Sequence, residues 1–152
     1  GPRHLIFHPS GKFAYMTLEL SGQVAAYRYK SGNLIPIGTY NLVSEGEKSQ
    51  SAEVRSTPDG KFLYVSNRGH DSITGFSVND ETGELTKIQV ISTEGETPRN
   101  FNVDPSGSCL VAGNQDTNTI IVYKINKETG MLTSFGKLIK TNSPILFYFQ
   151  KP

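Results

Sequence analysis

Six side chains hold most of the reactive chemistry in this sequence: Arg3, His4 and Glu19 near its start, Asn67 and Arg68 in the middle, and Arg99 beyond them. Arginine presents a planar, permanently charged fork that fits two carboxylate or phosphate oxygens at once. A carboxylate among arginines can activate water, and an imidazole can pass a proton near neutral pH. Gathered in one place, these groups would bind a small anion and assist its attack by water. Each also has a plainer reading. An arginine or glutamate at a strand end is commonly solvated or ion-paired, and a lone histidine at a strand start is commonly structural. Whether the six do chemistry depends on the elements that carry them.

The remaining candidates read as scaffolding. His8 precedes a Pro-Ser-Gly turn whose equivalents elsewhere are preceded by Thr57 and Asp104, and all three residue types can hydrogen-bond turn backbone. His70 lies in Arg68-Gly69-His70-Asp71, where Asp71 suits a loop-stabilising role. Cys109, the one cysteine, falls on a predicted strand and reads as a small buried residue; alone it supports neither an intrachain disulfide nor a cysteine-based zinc site. The histidines lack paired ligand spacing, and calcium-loop, nucleophile-elbow and P-loop patterns are missing. No metal and no cofactor are expected.

The elements come in repeats. The stretch Thr57-Pro58-Asp59-Gly60-Lys61-Phe62-Leu63-Tyr64 has counterparts in His8-Pro9-Ser10-Gly11-Lys12-Phe13-Ala14-Tyr15 and in Asp104-Pro105-Ser106-Gly107, with the turn prolines at 9, 58 and 105. A second marker, Gly-x-Leu, recurs at Gly32, Gly83 and Gly130 with nearly the same period. A period of roughly 40 to 50 residues containing only strand-like segments points to the blades of a β-propeller, since no repeat offers the i, i+3, i+4 pattern of a helical solenoid. The predicted fold is all-β: three four-stranded antiparallel meanders, covering about 1–50, 51–96 and 97–142, then a thirteenth strand at 145–149 opening a fourth unit. The predicted strands are 5–7, 13–19, 23–29 and 36–43, then 52–56, 62–67, 72–78 and 86–92, then 101–104, 109–114, 119–125 and 133–139. Pro2, Pro98 and Pro144 stand ahead of inner strands, where a residue without an N–H is tolerated.

In such a meander the first strand of a blade starts on the rim where the second ends. That rim collects Arg3, His4 and Glu19 from the first unit, Ser51, Glu53, Asn67 and Arg68 from the second, and Arg99, Asn100, Asn114 and Gln115 from the third. The opposite rim carries the Pro-Ser/Asp-Gly turns.

Bulk properties narrow the partners. The 152 residues carry 15 basic and 14 acidic side chains, net +1, so nothing in the overall charge calls for nucleic acid or an anionic membrane. No apolar run approaches the roughly 20 residues of a membrane-spanning helix. A ring of blades needs about four to eight, and three repeats plus a strand read as part of a longer protein. The expected partners are a small anionic substrate and either the missing blades of the same protein or a second copy meeting the open edges; a cytoplasmic location is expected.

Four motifs, Gly1-Pro2-Arg3-His4, Glu19-Leu20, Ser66-Asn67-Arg68-Gly69-His70-Asp71-Ser72-Ile73 and Pro98-Arg99-Asn100-Phe101, resemble the lactonase family of seven-bladed propellers, and the resemblance covers essentially the whole chain. That family includes propeller-type 6-phosphogluconolactonases and fungal muconate-lactonising enzymes. The resemblance implies a site at one rim made of arginines, a glutamate and a histidine, with Arg3, Glu19 and Arg99 at matching positions. It implies hydrolysis of a sugar-phosphate lactone in carbohydrate metabolism, with Arg3, Arg99, Asn67 and Arg68 holding the substrate, Glu19 activating water and His4 assisting. Two rivals remain, a muconate-type cycloisomerase and a non-catalytic binding platform. The platform would have no need of a carboxylate between arginines. The three blades alone are expected to be inactive.

Overall fold

In the computed structural model, which describes residues 1–150, the chain forms twelve strands in three separate four-stranded antiparallel sheets. Blade one contains β1 (Pro2–Phe7), β2 (Phe13–Leu18), β3 (Gln23–Lys30) and β4 (Asn33–Asn41). Blade two contains β5 (Gln50–Ser56), β6 (Phe62–Arg68), β7 (Ser72–Val78) and β8 (Leu85–Ser92), and blade three β9 (Pro98–Val103), β10 (Cys109–Asn114), β11 (Thr119–Ile125) and β12 (Leu132–Lys140). In every sheet the strands lie in chain order, so each blade is a simple meander. The inner strands β1, β5 and β9 adjoin across the blades.

The repeated turn explains itself. In each copy the residue before proline accepts a hydrogen bond from the glycine N–H (His8 to Gly11, Thr57 to Gly60, Asp104 to Gly107, 2.8 to 2.9 Å), and all three glycines take positive φ. A side chain next to the proline closes the loop further: Thr57 Oγ1 donates to Asp59 Oδ1 at 2.6 Å, and Asp104 Oδ1 accepts from the N–H groups of Ser108 and Cys109. His8 bonds Ser10 Oγ on one ring nitrogen and donates from the other to the Gly60 carbonyl of the next blade. Its reading as a structural histidine agrees with these contacts.

Two apolar clusters hold the blades together. The first joins blades one and two through Phe13, Tyr15, Val24, Val54, Leu63, Val65 and Phe76; the second joins blades two and three through Tyr64, Ile73, Phe101, Leu110, Ile121 and Tyr123. Alternate residues of β6 enter opposite clusters, which is why six of its seven residues are buried. The Gly-x-Leu marker belongs to these interfaces. A Cβ on Gly83 would lie 2.4 Å from the Phe13 ring, and one on Gly130 would lie 2.2 Å from the Phe62 ring. Tyr15 and Tyr64 then donate to the carbonyls of those same glycines, at 3.1 and 2.7 Å. Blades one and two thus each grip the following blade with a Phe-x-Tyr hook around a glycine. Gly32, the third marker glycine, faces open space, and the hook positions of blade three are Cys109 and Val111.

The expected thirteenth strand does not form. Residues 141–150 join no ladder, and the 145–149 segment is tied to β9 by side chains instead: Phe147 N–H donates to Asn100 Oδ1 and Asn102 Nδ2 donates to the Phe147 carbonyl, both at 3.1 Å. These bonds occupy one edge of the segment, and no further strand follows among the described residues to pair with the other. Ile145, Leu146 and Tyr148 remain exposed, as do Leu5 and Phe7 on the free face of blade one.

Candidate active site

The three inner strands share an irregularity at the same place. Register shifts lie between Pro2 and Leu5 on β1, between Ser51 and Val54 on β5, and opposite Asn114 at the start of β9. A bulge breaks the strict alternation of side chains and re-aims the residues within it. Here the re-aimed residues are Arg3 and His4, then Ala52 and Glu53, then Arg99. Hydroxyls on the neighbouring strands occupy the freed backbone donors: the N–H of His4 bonds Thr17 Oγ1 at 2.9 Å, and that of Glu53 bonds Ser66 Oγ at 3.0 Å. Local sequence therefore builds the rim in the same way twice.

Glu19 opens a one-turn 3₁₀ helix, Glu19–Ser21, just past β2, and its N–H is fixed by the Gly1 carbonyl at 2.8 Å. Its carboxylate accepts from Arg68 Nη2 of blade two and lies 3.5 Å from Arg3 Nη1. Arg99 is near enough for its charge to act on both Arg3 and Glu19. Guanidiniums from two blades thus bond or face one carboxylate, and the charge of a third, Arg99, acts on it from further off. The hydrogen bond from Arg68, reinforced by the charges of Arg68, Arg3 and Arg99, holds Glu19 below the usual glutamate range despite the opposing effect of burial. Burial, then the neighbouring Arg68, pull Arg3 below the ordinary arginine value, while Glu19 opposes them. The Nε atoms of Arg3 and Arg68 are buried and bonded to no group among the described residues.

Arg3, Glu19, Arg68 and Arg99 lie at the same rim, which is where strand order places them, and the first three are in contact. Asn67 does not join them. It is fully buried, and its amide donates to Ser72 Oγ and Thr74 Oγ1 at 2.9 Å, so it braces the β6 to β7 turn instead of facing a ligand. Asn114 does the same in blade three, donating to the Thr93 carbonyl and Thr119 Oγ1. His4 sits beside Arg3, and its carboxylate partner is Glu53, 3.1 Å from Nδ1, rather than Glu19. Arg3, His4, Glu53 and Arg55 line a shallow pocket of about 280 Å³ with Leu5 and Ile6. His70 bonds Ser72 Oγ and lies 3.5 Å from Glu47, while Asp71 accepts from the N–H groups of Gly69 and Thr97, so this loop is stabilised by both residues.

Sequence reasoning placed Glu53 on the rim but gave it no part in the chemistry. The signal available was its register: counted from the turn prolines, His4, Glu53 and Asn100 occupy the same position in successive blades.

The model of the family described as "Lactonase, 7-bladed beta-propeller" matches residues 1–149. A 6-phosphogluconolactonase of Formosa agariphila is 50% identical over 108 residues, and one of Bacillus subtilis is 44% identical over 109; each match covers 69% of this chain and 31% of the relative. Among solved structures, the periplasmic gluconolactonase PpgL of Pseudomonas aeruginosa superposes with a TM-score of 0.88 at 34% identity, over 95% of this chain and 41% of that one. The chain therefore spans about a third to two fifths of the length of these relatives.

Proposed function

The chain belongs to the lactonase family of seven-bladed β-propellers, and on that premise we propose that its rim is part of the active site of an enzyme hydrolysing an anionic sugar lactone, 6-phosphogluconolactone in the first instance. The observation that carries the reading is the convergence of Arg3 and Arg68 on the single carboxylate of Glu19, with the charge of Arg99 acting on both Glu19 and Arg3. Three positive charges against one negative leave a site that attracts a phosphate or carboxylate, and guanidiniums suit charge-assisted bonds to its oxygens or to a developing oxyanion.

Glu19 suits the part of organiser. A carboxylate held ionised by Arg68 and Arg3 is a weak proton acceptor, but it fixes the two guanidiniums in place before the substrate arrives. His4, half exposed beside Arg3, is the better-placed proton acceptor for the attacking water. Two relatives named as 6-phosphogluconolactonases support hydrolysis over the cycloisomerase or platform readings. Among the described residues no helix is long and apolar enough to cross a membrane. A cytoplasmic site of action is a separate part of the proposal, checked by fractionation.

The direct test is hydrolysis of 6-phosphogluconolactone by the full-length protein, followed as formation of 6-phosphogluconate above the spontaneous rate. Arg99→Ala is expected to raise KM on the phosphorylated lactone far more than on the unphosphorylated one. Absence of hydrolysis above the spontaneous rate rejects the reading.

A further inference from the structure

The geometry points to Glu53 as the positioning residue of the site: it holds the His4 imidazole with Nδ1 protonated and Nε2 free to accept a proton from water. This rests on the hydrolytic reading above. Glu53 is 2% exposed, yet it is a carboxylate. One oxygen accepts from the Val54 N–H at 3.0 Å and faces His4 Nδ1 at 3.1 Å; the other accepts from Asn100 Nδ2 and lies 3.4 Å from Arg55 Nη2. Three of these neighbours, the backbone N–H, the amide NH₂ and the guanidinium, can only donate. A carboxylate so surrounded acts as acceptor on every side, which leaves Nδ1 of His4 to be the fourth donor. The proton then sits on Nδ1, and Nε2, bonded to no group among the described residues, carries the lone pair.

The burial of Glu53 makes this orientation firm. Its backbone is pinned by Ser66 Oγ within the β5 bulge, its side chain is anchored from blade three by Asn100, and Asn100 is in turn held by the Phe147 N–H. His4 is thereby oriented by groups from two other blades and from the segment after β12. The logic is that of a carboxylate that selects the tautomer of a catalytic imidazole without itself taking the proton. In the step it serves, water oxygen bonds to the lactone carbonyl carbon as one water proton passes to Nε2. The bond from that carbon to the ring oxygen then breaks, and the same proton is returned to the departing oxygen, giving the hydroxy acid.

Glu53→Gln keeps the shape and removes one acceptor; it is expected to lower kcat about 10²-fold with KM little changed. The decisive measurement is the cycle with His4→Gln. If Glu53 acts through His4, adding Glu53→Gln to His4→Gln costs no further activity. Losses that multiply, or a Glu53→Gln enzyme with full turnover, overturn the inference. A readout independent of activity separates it from the wider functional reading and from any failure of the variant to fold: ring ¹⁵N spectra of His4 in the wild-type full-length protein. A protonated Nδ1 is expected. A proton on Nε2 overturns the assignment even where lactone hydrolysis is confirmed, and a protonated Nδ1 in a protein that hydrolyses no lactone upholds the geometry while rejecting the function.

Discussion

The two rims of this sheet array are the opposite ends of the same strands, and they treat polar groups in opposite ways. On the turn rim, polar side chains close on turns: Thr57, Asp59 and Asp104 spend their hydrogen bonds on the loops that hold them, and His8 divides its own between its loop and the Gly60 carbonyl of the next blade's turn. On the other rim, Arg68 and His4 face carboxylates of a neighbouring blade, Arg3 and Arg55 face carboxylates of their own, and buried donors on Arg3, Arg55 and Arg68 are left over. Polar groups that satisfy local backbone stabilise a turn and have nothing left to offer a ligand. Groups held against each other across blades contribute little to local structure and keep capacity for something that arrives from solution. The fold thus divides stability from chemistry along the strand direction.

That division predicts that changes at one rim alter stability without specific activity, and changes at the other do the reverse. The largest effect is expected at Gly130 on the turn rim. An alanine there meets both a positive φ of 72° and the Phe62 ring 2.2 Å from its Cβ. Gly130→Ala should cost about 3 to 4 kcal/mol by urea denaturation, from overpacking and left-handed strain together, with turnover per folded molecule unchanged. A loss of specific activity equal to that of a site variant would break the comparison.

Next in size is Glu19→Gln at the site rim. Releasing Arg3 and Arg68 from their shared carboxylate should lower kcat/KM about 10²-fold while the urea midpoint shifts little, because misplacement of binding groups is costly to rate and these groups are partly solvated. A large stability loss with intact kinetics would make the cluster a scaffold.

A smaller effect separates the hook from its apolar packing. Tyr64→Phe keeps the ring and removes the donor to the Gly130 carbonyl, leaving a buried acceptor unpaired at a cost of roughly 1 to 3 kcal/mol, again with turnover intact.

The smallest effect is a titration. Glu19 has its folded-state value below the ordinary 4.5, so the stability it contributes is present above that value and is lost as pH falls through the depressed one. Carboxyl ¹³C spectra should show a Glu19 midpoint below 4.5 that moves upward in Arg68→Gln. A midpoint unmoved by that substitution would mean that Arg68 does not clamp it.

Much of this was legible in the sequence because the repeats are locally encoded. Turn prolines, positive-φ glycines and alternating strands each act within a few residues, so the blade order and the rim assignment of Arg3, Glu19, Arg68 and Arg99 could be read directly. What could not be read lies between blades. Asn67 looks like a rim ligand in one dimension, and only the hydroxyls of Ser72 and Thr74 beside it show that its amide is occupied. His4 and Glu53 are 49 residues apart, and no local pattern announces that pairing. The 145–149 segment has a strand's composition, but it is held to β9 only by the amides of Asn100 and Asn102, with no further strand among the described residues to form a ladder.

The Phe-x-Tyr hooks also set an order in time. Tyr15 closes on a carbonyl 68 residues further along the chain and Tyr64 on one 66 residues further, so neither hook has anything to grasp until most of the next repeat has been made. As the polypeptide leaves the ribosome, blades one and two must each wait for their successor's glycine turn before the hook can close, and each closure spans a loop longer than one repeat.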